Sequence, residues 1–185
     1  MPVKAVFLDR DGVLNVPVVM DGLSYPPSSV ENLQLYRDAR GALQQLQRAG
    51  YCLIVVTNQP DIARGSQTRE AVEEINAAIR AKLPVDEFCI CPHDDVDRCA
   101  CRKPKPGLVL EAATRLGIDL AHSFLIGDRW RDIDCGAAAG VRTVLIDRGY
   151  RERTPDHPPD FVAHSLAGAA QWILAHHQPD PPQTI

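Results

Sequence analysis

Short apolar runs recur along the chain and alternate with longer amphipathic stretches. The runs predict β-strands at residues 4–9, 52–56, 87–91, 124–126, 143–146 and 161–163. Strands that are buried on both faces of a parallel sheet read as continuous apolar runs. The amphipathic stretches predict helices at residues 37–49, 68–83, 106–116, 131–139 and 165–177. Strands that alternate with helices in this way indicate an α/β fold with a parallel sheet.

The remaining stretches are predicted to be connections and a tail. Residues 16–36, which contain glycine, proline and serine, and residues 151–160 are expected to be irregular. Long connections in compact domains often have a function. Because no change in composition marks a boundary, residues 1–177 are expected to form a single domain. The proline-containing residues 178–185 are expected to be disordered.

The composition limits the partners and the location of the protein. The chain has 185 residues, of which 45% are hydrophobic and 24% are charged, and its formal net charge is −4. This charge provides no electrostatic footprint for nucleic acid, and no apolar run approaches the roughly 20 residues of a membrane span. The first residues lack the architecture of a signal peptide. We therefore expect a cytoplasmic monomer without nucleic-acid or membrane partners.

Two carboxylates follow the first predicted strand. Asp9 and Asp11 are separated by one residue and are followed by Gly12. Ligands of open α/β sheets bind just beyond the carboxyl ends of the strands. Two neighbouring carboxylates repel each other unless a cation or a shared proton lies between them. A divalent metal beside a reacting phosphate would account for the pair; the alternative is a surface turn in which both aspartates are capping residues.

Two other predicted strands also end in polar residues. Thr57 and Asn58 follow the second run, Asp128 follows residues 124–126, and Lys103 precedes the helix that leads to that run. Since strand ends converge at one edge of a parallel sheet, these groups can meet at one point. Phosphoryl transfer depends on positioning and on stabilisation of the phosphoryl oxygens. Carboxylates, a hydroxyl, an amide and a lysine are suitable groups for that chemistry.

These residues resemble the four motifs of the haloacid dehalogenase (HAD) superfamily of phosphohydrolases. The motifs are Asp-x-Asp-Gly at 9–12, Thr-Asn at 57–58, Lys-Pro at 103–104, and Gly-Asp at 127–128 with a further acid at 132. Each motif is weak alone, but the order of the four and their places at strand ends make the set specific. The resemblance covers about residues 4–147. It implies the HAD fold, a Rossmann-like, doubly wound parallel sheet with helices on both faces; the short connections indicate a capless member.

The resemblance assigns roles to the acidic residues. Asp9 is expected to be the nucleophile that forms an aspartyl-phosphate, and Asp11 to be the general acid that later acts as a base. Mg²⁺ would be held by the carboxylates of Asp9 and Asp128 and by the backbone carbonyl of Asp11. Asp132 would support this site or bind the ion through a water molecule.

The resemblance also identifies groups that hold the phosphoryl oxygens. Thr57 and Lys103 are expected to do so. The family pattern Lys-Pro-x-Pro begins at Lys103 and not at Lys105, which favours Lys103. Lys105 is then a solvated charge at the entrance of a helix.

A second cluster of metal-ligating residue types occupies about residues 91–103. It contains three thiols and one imidazole: Cys91, His93, Cys99 and Cys101. Such a set suits a closed, tetrahedral, structural zinc site, which would order a loop that has no core of its own. Disulfides are less suitable because nothing indicates secretion. The remaining cysteines, at positions 52, 89 and 135, are expected to be buried or inert.

The zinc loop, Thr57-Asn58-Gln59 and the stretch Ile-Ala-Arg-Gly at 62–65 together resemble a narrower group. Its members are phosphatases that remove the C7 phosphate of D-glycero-D-manno-heptose 1,7-bisphosphate during synthesis of lipopolysaccharide or surface-polysaccharide precursors. Histidinol-phosphate phosphatases are related and share the zinc loop. The resemblance implies substrate contacts by Asn15, Asn58, Gln59, Arg64, Arg102 and Arg129.

One departure from the group leaves alternatives open. Where the group has Ser-Gly after Thr-Asn-Gln, this chain has Pro60-Asp61, which adds a negative charge beside a bisphosphate substrate. Histidinol phosphate or another small sugar phosphate is therefore an alternative substrate. A non-catalytic zinc-loop module that binds protein or nucleic acid is the alternative from another class. The acidic balance and the complete catalytic set count against it.

Overall fold

A six-stranded parallel sheet forms the centre of the protein. The computed structural model describes residues 3–20 and 23–176, so the predicted disordered tail at 178–185 lies outside the described residues. The strands are β1 (Lys4–Leu8), β2 (Val18–Met20), β3 (Leu23–Tyr25), β4 (Tyr51–Asn58), β5 (Glu87–Cys91), β6 (Phe124–Gly127), β7 (Arg142–Ile146) and β8 (Phe161–Ala163). Six of them pair in parallel in the order β5-β4-β1-β6-β7-β8. The predicted α/β class with a parallel sheet is confirmed.

Helices cover both faces of this sheet. They are α1 (Ala39–Arg48), α2 (Asp61–Arg64), α3 (Arg69–Arg80), α4 (Gly107–Leu116), α5 (Trp130–Ala139) and α6 (Leu166–Ala175). Successive side chains of a strand point to opposite faces. Val6 and Leu8 of β1 therefore share one apolar cluster with α1, α3 and α6, whereas Ala5 and Phe7 share another with α4 and α5. This confirms the doubly wound arrangement. Among the residues that the structure describes, no helix combines the length and apolar character needed to cross a lipid bilayer.

Capping groups accompany the ends of α1 and α3, which lie slightly inside the predicted limits. Thr68 Oγ1 accepts a hydrogen bond of 3.1 Å from the backbone N–H of Ala71, and α3 begins at the next residue, Arg69. After α1, Gly50 has a φ of +87°, a left-handed conformation that commonly ends helices and that glycine adopts without strain. These local groups, rather than the apolar periodicity, determine where α3 begins and where α1 ends.

The connection after β1 is more regular than predicted. It contains the antiparallel pair β2–β3, in which Val18 lies opposite Tyr25, and a 3₁₀ turn at Val30–Asn32. Strands of three residues are too short to show the alternation by which a strand is identified in a sequence. The prediction of a wholly irregular segment at residues 16–36 is therefore wrong.

Strand β1 lies where the strand order of the sheet changes direction. It lies between β4 on one side and β6 on the other. Ligands of open α/β sheets bind at such a switch in strand order, because the connections on its two sides leave in opposite directions and open a crevice. The polar residues at the carboxyl ends of β1, β4 and β6 consequently meet at this crevice.

Candidate active site

A cavity of about 340 Å³ lies at the carboxyl ends of β1, β4 and β6. The predicted site residues that line it are Asp9, Asp11, Thr57, Asn58, Arg64, Arg102, Lys103, Arg129 and Asp132. Tyr25 and Pro26, at the end of the β2–β3 hairpin, and Arg131 also line it, although the sequence patterns do not single them out. The fold thus brings the four motifs and Arg102 of the zinc loop to one cavity.

Lys103 connects two carboxylates of the site. Its Nζ donates to Asp9 Oδ1 at 2.6 Å, to Asp132 Oδ1 at 2.5 Å and to the carbonyl of Val56 at 2.8 Å. Burial alone would lower the pKa of Lys103, but the attraction of Asp132 and Asp9 outweighs burial and raises it. The lysine is therefore a fixed positive charge beside Asp9.

The backbone of Lys103 is held by Asn58. The Asn58 side chain accepts from the Lys103 N–H and donates to the Lys103 carbonyl, both at 3.1 Å. The competing residue, Lys105, is exposed and donates to the carbonyls of Arg98 and Cys99. The preference for Lys103 over Lys105 thus agrees with their positions. The hydrogen bonds of Lys105 hold its exposed side chain against the zinc loop.

Asp9, Asp128 and Asp132 form a cluster of three buried carboxylates, one oxygen from each lying within 4.8 Å of the others. Burial raises the pKa of Asp9 to about 6, although the attraction of Lys103 opposes the rise. Burial also raises the pKa of Asp128 well above its usual value. Neither oxygen of Asp128 has a hydrogen bond of ordinary geometry to a described residue. The Tyr150 hydroxyl acts against burial, because it favours the charged form of Asp128 and lowers its pKa. Without a cation such a buried carboxylate takes up a proton, so its charged form requires a cation beside it.

The donor set of this cluster suits a hard divalent cation. Mg²⁺ prefers carboxylate oxygens and commonly takes only one or two of them from a protein. Asp132 is already engaged, since Oδ1 accepts from Lys103 and Oδ2 accepts from the Arg129 backbone N–H at 3.1 Å. Asp9 and Asp128 are therefore better placed than Asp132 to bind an ion directly.

Three side chains hold the carboxylate of Asp11. Arg10 donates to it through Nε and Nη2 at 3.0 to 3.3 Å, while Asn15 Nδ2 and Gln59 Nε2 each donate at 2.9 Å. Arg10, Asn15 and Gln59 are fully buried. This corrects the prediction that Asn15 and Gln59 contact the substrate: neither lines the cavity, because their donor groups are turned toward Asp11.

Gln59 also reaches Thr57. Its Nε2 donates to Thr57 Oγ1 at 2.9 Å, so the hydroxyl oxygen is occupied as an acceptor. The hydroxyl proton of Thr57 is then available for an anion in the cavity. The sequence patterns do not show that one amide supports both Asp11 and Thr57.

Four arginines line the cavity: Arg64, Arg102, Arg129 and Arg131. Each forms an ion pair with an acid outside the carboxylate cluster. The pairs are Arg64 with Asp94 at 2.7 Å, Arg102 with Asp95 at 2.7 Å, Arg131 with Asp95 at 3.4 Å, and Arg129 with Glu152. The guanidinium groups are thereby held in place beside a cavity that suits an anionic ligand.

The acid that departs from the group's pattern has a local partner. Asp61 begins α2, and Arg64 Nη1 at the end of that helix lies 3.4 Å from Asp61 Oδ1. Arg64 also donates to Asp94 through two nitrogens, which lowers the pKa of Asp94 to about 2. The negative charge of Asp61 is therefore partly compensated next to the cavity.

The zinc-loop residues come together as a second cluster. The ligand atoms of Cys91, His93, Cys99 and Cys101 lie within 4.8 Å of one another, with contacts from 3.1 Å between the sulfurs of Cys91 and Cys101 to 3.7 Å between those of Cys91 and Cys99. A tetrahedral zinc site with usual bond lengths requires about 3.8 Å between sulfurs. The cluster is close to that size. Cys89, Cys52 and Cys135 lie outside it.

Comparisons with known proteins agree with this geometry. A HAD-hydrolase-like family model matches residues 100–169. The D-glycero-β-D-manno-heptose-1,7-bisphosphate 7-phosphatase of Escherichia coli O6:H1 is 35% identical, over 96% of this chain and 97% of that protein. The enzyme of the same name from Pasteurella multocida is 37% identical, over 92% and 96%.

A solved structure supports the same relationship. It is that of D,D-heptose 1,7-bisphosphate phosphatase from B. bronchiseptica, complexed with magnesium and phosphate. Its TM-score is 0.77 and its sequence identity 29%, over 94% of this chain and 99% of that chain. This fold, this site and near-complete coverage at this identity lead to one assignment. The chain belongs to the heptose-1,7-bisphosphate 7-phosphatase family of HAD-type phosphatases.

Proposed function

We propose that this protein is a Mg²⁺-dependent phosphomonoesterase that removes the C7 phosphate of D-glycero-D-manno-heptose 1,7-bisphosphate. The observation that carries the proposal is the position of Asp9: its carboxylate lies in the cavity, 2.6 Å from Lys103 and beside the unpartnered carboxylate of Asp128. The names of the relatives supply the substrate. Every residue of the proposed mechanism belongs to this chain, and we propose that the enzyme works as a monomer.

In the first step Asp9 attacks the phosphorus atom of the C7 phosphate. A bond forms between the carboxylate and phosphorus, and the bond from phosphorus to the sugar oxygen breaks. Asp11 gives a proton to that oxygen, so the sugar leaves as an alcohol. The positive charge of Lys103 and the hydroxyl of Thr57 stabilise the charge on the phosphoryl oxygens.

In the second step the aspartyl-phosphate of Asp9 is hydrolysed. Asp11, now a carboxylate, takes a proton from a water molecule, and the water oxygen attacks the phosphorus. Phosphate leaves and Asp9 is restored. Asn15 and Gln59 each donate a hydrogen bond to the carboxylate of Asp11.

Mg²⁺ would be held by the carboxylates of Asp9 and Asp128 and by the backbone carbonyl of Asp11. When bound, it supplies positive charge to the phosphoryl oxygens. Asp132 supports the site by holding Lys103. The unpartnered oxygens of buried Asp128 support this assignment.

Zn²⁺ would be bound by Cys91, His93, Cys99 and Cys101 as a structural ion. The loop between these ligands makes few apolar contacts of its own, and Arg102 and Lys103 follow it directly. Ordering the loop therefore places one cavity-lining arginine and the lysine beside Asp9. We assign no chemical step to this ion.

The cavity arginines favour a substrate with a second phosphate. With one phosphate at Asp9 and Lys103, the guanidinium groups of Arg64, Arg102 and Arg129 still line the rest of the cavity, where their ion pairs hold them in place. A monophosphate that carries an amine, such as histidinol phosphate, has no group that requires these positive charges. The bisphosphate sugar is therefore the better match.

The proposal is tested by comparing kcat/KM for heptose 1,7-bisphosphate, the corresponding monophosphate, histidinol phosphate and nucleotides. We expect heptose bisphosphate to be preferred and Arg129→Gln to lower its kcat/KM about 10- to 100-fold, as for loss of a charged hydrogen bond. The same change should hardly affect p-nitrophenyl phosphate, and exposed Arg151→Gln is the matched control. Asp9→Asn should abolish turnover without unfolding the protein. Equal kcat/KM for all monoesters would refute the substrate, and an active Asp9→Asn variant would refute the nucleophile.

A further inference from the structure

Arg10 lies between the two aspartates of the first motif and is fully buried. Its guanidinium faces two partners. Nε and Nη2 donate to the Asp11 carboxylate, and Nη1 donates to Asn76 Oδ1 at 3.0 Å. Asn76 is itself buried and belongs to α3. Arg10 therefore links Asp11 to a helix on one face of the sheet.

The contact with Arg10 differs in kind from the other contacts of Asp11. Arg10 Nη2 lies 3.3 Å from Oδ1 and 3.0 Å from Oδ2, so the guanidinium contacts both oxygens. Asn15 and Gln59 each contact one oxygen. A planar guanidinium that contacts both oxygens fixes the orientation of a carboxylate by itself, whereas each of the two amides holds only one of its oxygens.

Arg10 has no direct contact with the cavity. It does not line it, and its donors are directed to Asp11 and Asn76. Burying a guanidinium costs free energy that such pairing has to offset. Any effect of Arg10 on the reaction must therefore pass through Asp11.

We propose that Arg10, anchored by Asn76, is a positioning residue that holds the Asp11 carboxylate in the orientation needed for both proton transfers. This inference rests on the proposed function, in which Asp11 is the acid and the base. It adds a requirement that lies outside the cavity: the packing of α3 determines how Asp11 is presented to the leaving oxygen and to water.

Two phosphate esters separate this role from a merely structural one. Phenyl phosphate needs a proton on its leaving oxygen, whereas p-nitrophenyl phosphate releases a stable anion. Arg10→Met should lower kcat for phenyl phosphate, at most by the ~100- to 10,000-fold that a positioned acid or base contributes. With p-nitrophenyl phosphate, rapid mixing should show a burst of p-nitrophenol followed by slow turnover, because only hydrolysis of the aspartyl-phosphate still needs Asp11.

A second comparison uses the Asp11→Asn background. If Arg10 acts through Asp11, Arg10→Met should cause no further loss of kcat there, since residues that act as a unit are non-additive. Asn76→Ala keeps the guanidinium but removes its anchor, and it should give the same pattern with a smaller loss. Arg80→Met, an exposed arginine on the same helix, is the control and should behave like the wild type.

Three outcomes decide the matter. An unchanged kcat in a folded Arg10→Met protein would overturn the inference; should that variant not fold, an unchanged kcat for Asn76→Ala has the same meaning. If Arg10→Met lowers kcat by the same factor in the wild type and in the Asp11→Asn background, the role of Arg10 is purely structural. A wild-type protein that hydrolyses neither these esters nor heptose 1,7-bisphosphate would instead contradict the proposed function.

Discussion

A Cβ atom on Gly12 would lie 1.7 Å from Oδ2 of Asp128. Gly12 ends the motif that follows β1, Asp128 follows β6, and the two meet because those strands are neighbours in the sheet. The φ of Gly12 is +96°, in the region that favours glycine. Because Gly12 has no side chain, the carboxylate of Asp128 has room to lie beside Asp9.

Gly12→Ala should therefore abolish activity. The new methyl group cannot coexist with Asp128 in its present position, so the carboxylate must move and Mg²⁺ affinity should fall with kcat. Gly50→Ala is a close control, because Gly50 has a φ of +87° and an added methyl group there would have no described atom within 4 Å. It carries only the backbone cost of about 1 kcal/mol and should keep kcat. Equal kcat values in the two variants would contradict the argument.

Lys103→Met should destabilise the metal-free protein by about 3–5 kcal/mol, because it leaves buried carboxylates without their paired cation. Lys103 contacts both Asp9 and Asp132. Added Mg²⁺ should recover part of the lost stability by replacing the missing positive charge. Chemical unfolding with and without Mg²⁺ measures both effects.

Exposed Lys105→Met is the matched control and should lose no more than about 1 kcal/mol, since only hydrogen bonds to loop carbonyls are removed. The explanation fails if Lys103→Met and Lys105→Met unfold at the same denaturant concentration.

Mg²⁺ binding should weaken as the pH falls. The pKa of Asp9 is about 6 and that of Asp128 is also raised. Above the pKa of Asp9 its carboxylate is charged and available to the ion; below it, Mg²⁺ has to displace a proton. We expect the dissociation constant to rise about tenfold per pH unit for each displaced proton.

Calorimetric titration of zinc-loaded protein between about pH 5 and pH 8 measures this dependence, with zinc content checked at each pH. A constant Mg²⁺ affinity across this range would show that these carboxylates are charged at all these pH values.

Cys101→Ser should lower zinc content below one ion per chain and expose residues 91–103 to proteolysis. A structural zinc site contributes about 10 kcal/mol or more of binding free energy to the folded state, so the midpoint of unfolding should fall and kcat should fall as Lys103 loses its position. Cys89→Ser, two residues before the cluster, changes the same atom outside it. That control should retain zinc, and loss of zinc from both variants would refute the four-residue site.

The local character of the motifs explains how much of the protein could be predicted. Asp9, Thr57 and Asp128 could be identified because each directly follows or ends a buried parallel strand, where chain direction alone brings it to the carboxyl edge. Cys91, His93, Cys99 and Cys101 are close in sequence, so their spacing alone indicates a metal site. The sheet and its two layers of helices follow from the apolar runs.

Other contacts depend on the directions of side chains, which the pattern of apolar and polar residues does not show. Asn15 and Gln59 lie in motifs that suggested substrate contact, yet both face Asp11. Arg131 reaches the cavity and Arg10 reaches Asn76 only because separate elements pack against each other. The β2–β3 hairpin consists of strands too short to show a pattern.

The sequence by itself therefore determined the fold class and identified the candidate carboxylates and the Cys/His cluster, because all of these depend on local order along the chain. Only the tertiary structure decided which donors hold Asp11 and why Gly12 has to lack a side chain. Those relationships join residues that are distant in sequence, and they depend on distances of one or two ångströms that close packing alone specifies.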